Sequence, residues 1–325
     1  MRIVFFGSDA IAVPALEYLH WAEGVELVAV VSQPDRPSGR GRHLHANPVS
    51  AWAIAHGVAL LQPEKPGPEE AAWLHSQHLD LALVMAYGHI LRREMLDVAL
   101  RGSWNLHASL LPAYRGASPV EAALVAGEIE TGVSLMSMVE KMDAGPVAAA
   151  VHVPIQKTDA SPVLRERIAH ACVPLLQRHL AALGGKSCRT VSQDESRATY
   201  TRKLDKADTH VDFSASAAEL ECRVRALQPW PGVTIEHAGR ALKIGAVEVL
   251  SEEVSGAPGT VLRAGDKGVD VATGKGVLRL LTLQRPGGRM LPAEEFLRGY
   301  GLKAGECLPS RAMRPLVSPK PFPKA

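Results

Sequence analysis

Cysteine is scarce in this chain, and its placement excludes two classes of protein. Cys172, Cys188, Cys222 and Cys307 lie 16 to 85 residues apart, with no C-x-x-C among them. That spacing gives neither a disulfide framework nor a zinc site, so reduced, structural thiols are expected. Long hydrophobic runs are missing too. No apolar stretch approaches the roughly 18 residues that span a bilayer. "MRIVFFG" is too short for a secretory core and runs into a glycine turn. The expectation is a cytoplasmic protein with no membrane contact. Nor is there a large excess of charge of either sign, the net value being +2. It is unevenly spread, however. Residues 1–200 carry 17 Lys and Arg against 20 Asp and Glu, whereas residues 201–325 carry 19 against 14. A basic final third suits contact with a polyanion, although ordinary variation explains the asymmetry equally well.

Several catalytic signatures are also absent. No G-x-S-x-G elbow occurs, which removes support for a serine hydrolase. Gly7 stands alone after the first apolar run, and "GRGRHL" (39–44) lacks its third glycine, so a dinucleotide fingerprint is missing. "GGKS" (184–187) has Leu180 where a phosphate-binding loop needs glycine. His75 and His78 share a helix face but have no partner at ligand spacing, so no metal site is expected. There is no internal repeat.

What remains is a regular alternation. The runs "RIVFF" (2–6), "VELVAVVS" (25–32), "DLALVMA" (80–86) and "GSWNLH" (102–107) read as buried strands. Helical patterns near 49–57, 67–78 and 118–126 separate most of them. Two further strands, 131–139 and 147–155, flank a turn with Asp143, and a helix follows over 162–183. This order predicts an α/β domain with a doubly wound, mostly parallel, Rossmann-like sheet. Ligands of such sheets sit beyond the carboxyl ends of the strands, so the loops after residues 6, 32, 86 and 107 should share one rim. The polar stretch 189–206 reads as a linker between a first domain, 1–188, and a second, 207–312. Closely spaced short strands such as "LKIGAVEVL" and "VLRLLTLQRPGG" give the second the signature of a smaller β-barrel. A Pro-rich basic tail, 313–325, is expected to be loosely ordered.

One cluster carries chemistry. Asn105 and His107 are two residues apart in a strand, so both side chains point to the same side. With Asp143 they supply a neutral donor for an oxyanion, a proton acceptor and an anion to orient the imidazole and favour its charged form. This is everything acyl transfer needs except a nucleophile. The substrate should therefore bring its own, most simply a free amine. The segment "QPDRPSGRGRHLH" (33–45), too polar and rich in Gly and Pro for strand or helix, reads as a flexible cationic loop suited to phosphates.

The segments "NLHASLLPAYRGASP" and "ETGVSLMSMVEKMDAGPV" resemble the formyltransferase family that uses 10-formyltetrahydrofolate. "VVSQPDRPSGRGRHLHANPV", "VMAYGHIL", "LQPWPG" and "RPGGRM" resemble the branch whose acceptor is initiator methionyl-tRNA. The resemblance runs over nearly the whole chain. It implies Asn105, His107 and Asp143 as the catalytic trio. It implies Ser109, Leu110, Leu111 and Pro112, with Met85, Ala86, Tyr87 and Gly88, as the folate contacts. Arg36, Arg40 and Arg42 are implied on tRNA, with an OB-like second domain holding that tRNA and no metal. A monomer is expected. Asp9 and Ile11 depart from the family pattern, as do Ala113 and Tyr114. Three rivals stay open: transfer to a small amine such as a sugar nucleotide, hydrolysis releasing formate, and a silent RNA-binding protein.

Overall fold

A computed structural model of the chain describes residues 1–38, 43–185, 188–251 and 256–323. The apolar runs become strands β1 (Arg2–Gly7) and β2 (Glu26–Val31), then a short hairpin, β3 (Arg36–Ser38) and β4 (His43–His45). After these come β5 (Ala59–Leu61), β6 (Leu81–Met85), β7 (Ser103–His107), the two-residue β8 (Arg115–Gly116), β9 (Glu130–Ser137) and β10 (Val147–Pro154). One sheet takes the order β5-β2-β1-β6-β7-β9-β10. Its first five strands are parallel, β9 runs antiparallel to β7, and β10 runs antiparallel to β9.

Both faces are covered, which is why these strands read as continuous apolar runs rather than as alternation. Ile3, Phe5, Leu83, Trp104 and Leu106 face the long helix Ser161–Gly184 and its neighbours in one core. Val4, Phe6, Ala29 and Val84 pack on the other face, against Ala71 and Leu74 of the helix Pro68–Ser76. Because Trp104 and Leu106 take the first face, Asn105 and His107 take the second. Among the described residues, no helix is long and apolar enough to cross a membrane.

The later strands form two antiparallel four-stranded sheets over a second core. That core includes Phe213, Leu220, Ile235, Leu242, Val269, Leu278, Leu283 and Phe296. "LKIGAVEVL" is not one strand but two, Arg240–Ile244 and Val247–Ser251, in different sheets. The break falls at Gly245, where a Cβ would lie 2.3 Å from Thr282 Oγ1 and 2.8 Å from Met290 Sδ. "VLRLLTLQRPGG" divides likewise, into Val277–Leu280 and Thr282–Gln284.

Three expectations are corrected. The 33–45 segment is not strand-free, since β3 and β4 pair within it. The 189–206 stretch is not a bare linker. It contributes a strand, Tyr200–Thr201, parallel to β8 and antiparallel to Val317–Ser318 of the tail. The tail is correspondingly docked, with Leu316 in the second core and the Arg202 guanidinium over the Phe322 ring. Edge-strand hydrogen bonding and one anchoring leucine outweigh its proline content.

Leu316 is 3 % exposed. Leu316→Ala is expected to cost about 2–3 kcal/mol in urea unfolding and to open the tail to proteolysis. An unchanged midpoint would mean that the tail contributes nothing to the fold.

Candidate active site

Asn105 and His107 lie on β7 and are both buried, 9 % and 6 % exposed. The Asn105 carboxamide makes no hydrogen bond with any described residue, so it is free to donate into the site. The His107 ring does have partners. Its Nε2 is 3.0 Å from the Tyr114 carbonyl oxygen. A carbonyl only accepts, so Nε2 bears the hydrogen and Nδ1 is left as the base. Nδ1 lies 3.8 Å from Asp143 Oδ2, too long for a hydrogen bond but within ion-pair distance. Of the two tasks expected of Asp143, orienting the imidazole and favouring its charged form, the first falls to the Tyr114 carbonyl.

Asp143 also arrives by an unexpected route. Ser137, at the end of β9, pairs with Trp104 near the start of β7, and Met138 N–H donates to Ser103 O. The following turn therefore leaves from the end of β7 away from His107 and folds back over the face that holds Asn105 and His107. Two non-glycine residues adopt left-handed backbone there, Tyr114 at φ 61° and Asp143 at φ 49°. Such residues persist only where their surroundings over-determine them. The Tyr114 N–H donates to Thr199 Oγ1 at 2.9 Å, and its hydroxyl donates to Glu128 at 2.5 Å. The Asp143 carboxylate accepts from Gly116 N–H at 2.8 Å. Gly116, at φ 112°, has no room for a Cβ, which would sit 2.2 Å from Thr201 O.

Sequence reasoning missed the groups that tie these turns together. Arg115 is fully buried. Its guanidinium bonds Gln193 Oε1 and, through both terminal nitrogens, the Glu195 carboxylate. Gln193 Nε2 in turn donates to the carbonyls of Asp143 and Gly145, at 2.8 and 2.7 Å. Hydrogen bonds from Arg115 and Lys141 hold the Glu195 carboxyl down at about 2. The signal available in sequence was the arginine of "YRG", a cation flanked by an aromatic residue and a glycine.

The folate candidates fall into two groups. Leu110, Leu111 and Pro112 are half-buried in the loop after β7. Ser109 is fully buried, and its hydroxyl donates to Ala113 O at 2.6 Å, which shapes that loop. In the loop after β6, Met85 turns into the core, where its sulfur meets Cys172 Sγ at 3.7 Å. Ala86 and Gly88 are exposed at positive φ. Tyr87 stacks edge-on against Phe6, and its carbonyl accepts from Gln33 Nε2 at 2.8 Å and Ser8 Oγ at 3.2 Å. The loops after β1, β2 and β6 thus do share one rim. The Tyr87 hydroxyl and His89 Nε2 are buried with no partner among the described residues. Burial pushes the Tyr87 hydroxyl up, and burial with the Arg36 charge pushes the His89 imidazole down, so both stay neutral.

Of the tRNA candidates, Arg36 is exposed on β3 and paired with Glu64 at 2.5 Å, a surface contact that a phosphate can replace. Arg40 and Arg42 lie outside the described residues. The departures at Asp9 and Ile11 have a structural account. Asp9 caps the short turn Ala10–Ala12 and pairs with Arg165 of the helix Ser161–Gly184, while Ile11 is buried in the first core.

A doubly wound sheet with a free carboxamide and a proton-accepting imidazole defines a class, the acyl transferases that take their nucleophile from the substrate. Known proteins narrow it. Residues 1–180 match the formyl transferase family and residues 203–301 its C-terminal domain. The methionyl-tRNA formyltransferase of Ralstonia nicotianae is 41% identical over 324 residues, covering 96% of this chain and 99% of that protein. That of Sorangium cellulosum is 42% identical, covering 95% and 99%. Among solved structures, the N-formyltransferase of Helicobacter canadensis, in complex with folinic acid and dTDP-3-aminofucose, shares the fold. Its TM-score is 0.66 at 17% identity, covering 86% of this chain and 98% of that one. The chain belongs to the methionyl-tRNA formyltransferase family.

The depressed Glu195 carboxyl generates a pH prediction. A carboxyl held below its unfolded value stabilises the fold above that value and stops doing so as the group protonates. The melting advantage of the wild type over Glu195→Gln should therefore be constant near neutrality. It should shrink as pH falls from about 4.5 toward about 2. A gap independent of pH in that range would show that the carboxylate is not what holds Arg115.

Proposed function

We propose that Asn105, His107 and Asp143 carry formyl transfer from 10-formyltetrahydrofolate to the α-amine of initiator methionyl-tRNA, giving formylmethionyl-tRNA for translation initiation. One observation carries the roles. The ring nitrogens of His107 meet only the Tyr114 carbonyl and the Asp143 carboxylate among the described residues, so His107 activates no hydroxyl or thiol among them as a nucleophile. The amine must come with the acceptor.

The chemistry follows from the side chains. The neutral amine forms a bond to the formyl carbon, and charge gathers on the formyl oxygen. Asn105 Nδ2–H donates to that oxygen, in a buried place where such a bond is worth more than in water. His107 Nδ1 takes the proton released by the attacking nitrogen, and Asp143 stabilises the resulting imidazolium. The same proton passes to the folate nitrogen as its bond to the formyl carbon breaks. The ring returns to its starting tautomer because Nε2 never leaves the Tyr114 carbonyl. The half-buried Leu110–Pro112 segment and the loop from Ala86 to Gly88 are the proposed walls for the folate.

Acceptor holding is assigned to the β3–β4 hairpin, with Arg36, Arg40 and Arg42, and to the 207–312 region, with 1–188 as the catalytic part. The hairpin leaves β2 on the rim where the Tyr87 loop lies, which suits delivery of an aminoacyl end. A cytoplasmic monomer is the proposed working form, and a dimer mass in light scattering would revise it.

The deciding assay offers formylated folate with charged initiator tRNA, with an amino-sugar nucleotide, or with no acceptor. Formyl should appear on the tRNA; formate without acceptor would point to hydrolysis, and a formylated sugar to the small-amine reading. Asn105→Ala should lower turnover by a factor of about ten to a thousand. Its tRNA affinity should stay within about twofold, measured by filter binding. Unchanged turnover would remove Asn105 from the chemistry.

A further inference from the structure

Gln193 lies in the stretch that the sequence marks only as a linker, yet its carboxamide uses its full bonding capacity at the site. Oε1 accepts from Arg115 Nε and Nη2 at 3.1 and 2.8 Å. Nε2 donates to Asp143 O at 2.8 Å and Gly145 O at 2.7 Å. The orientation is unambiguous, because guanidinium only donates and carbonyls only accept. The bonds close a ring. Arg115 holds Gln193, Gln193 holds the backbone of Asp143, and the Asp143 carboxylate accepts from the N–H of Gly116, the residue after Arg115.

Each member of the ring is fixed from outside. Arg115 is clamped by Glu195 and by the Tyr200 hydroxyl at 3.3 Å, with its N–H on Thr199 O. Gly145 is pressed against Ser137 O, where a Cβ would lie 1.8 Å away. Asp143 holds left-handed backbone, at φ 49°, which a non-glycine residue keeps only where surrounding hydrogen bonds support it. Gln193 gives two hydrogen bonds to this turn, one of them to the Asp143 carbonyl itself. Without them the turn is free to relax, and relaxation carries the carboxylate away from His107.

We propose that Gln193 is a positioning residue for formyl transfer: it holds Asp143 in left-handed backbone so that the carboxylate faces the His107 base. It acts through Asp143, and the inference rests on the transfer reading above. It also means that residues 1–188 alone form an incomplete catalytic unit, because the group that sets the aspartate follows them in the chain.

Two full-length variants test this beside the wild type. Gln193→Glu keeps an acceptor for Arg115 and replaces the donor with oxygen facing two carbonyls. Gln193→Met keeps the length and removes all four bonds. Both should lower kcat tenfold or more, while KM for the folate and Kd for initiator tRNA stay within threefold and Tm within a few degrees. Wild-type kcat in both variants would overturn the proposal. So would a loss carried by KM, by Kd or by Tm, since Gln193 would then serve binding or folding. A wild-type protein that formylates no tRNA would instead sink the transfer reading, so the two failures are distinguishable.

Discussion

A single hydrogen bond organises the site, the one from His107 Nε2 to the Tyr114 carbonyl. It fixes which ring nitrogen bears hydrogen, and so which is free to act as a base. To aim its carbonyl at the ring, Tyr114 adopts a backbone conformation few non-glycine residues take. That conformation survives because Thr199 and Glu128 hold the residue at its N–H and its hydroxyl. An imidazole with the opposite tautomer would present Asp143 with an N–H and leave no lone pair in that direction. The proposed chemistry would depend on a main-chain carbonyl as much as on the aspartate.

The sheet supplies the rest through its change of strand direction. Parallel β1, β2, β6 and β7 bring their following loops to one rim, tied by Ser8, Gln33 and the Tyr87 carbonyl. Antiparallel β9 beside β7 sends the next turn back over the sheet face. Asp143 thus approaches Asn105 and His107 from above their strand rather than from the rim. The Asn105 carboxamide has no hydrogen-bond partner among the described residues, and in the proposed transfer it is open to a substrate oxygen.

The stretch after residue 188 joins the two cores by more than chain continuity. Its strand Tyr200–Thr201 lies between the catalytic loop at Arg115–Gly116 and the tail at Val317–Ser318. A segment rich in polar residues reads as a linker by composition. Here those polar residues are bonded to buried backbone: Gln193 to Asp143 and Gly145, Thr199 to Tyr114, and Thr201 to Arg115 and Ser118. Composition reports what a segment is made of and not what it pairs with.

Local pattern was enough for the alternating strands and helices, because burial on two faces leaves continuous apolar runs. It was enough, too, to put Asn105 and His107 side by side, since a strand repeats every two residues. Asp143 entered as a candidate through its chemistry and the family resemblance, and its approach over the sheet face was not legible. Packing alone decided the His107 tautomer, the burial of Arg115, the role of Gln193 and the docking of the tail. Those contacts join groups far apart in the chain, 78 residues for Arg115 with Gln193 and 50 for Gln193 with Asp143. No short-range periodicity records a hydrogen bond closed over such a separation; it exists only once the sheet has brought its ends together.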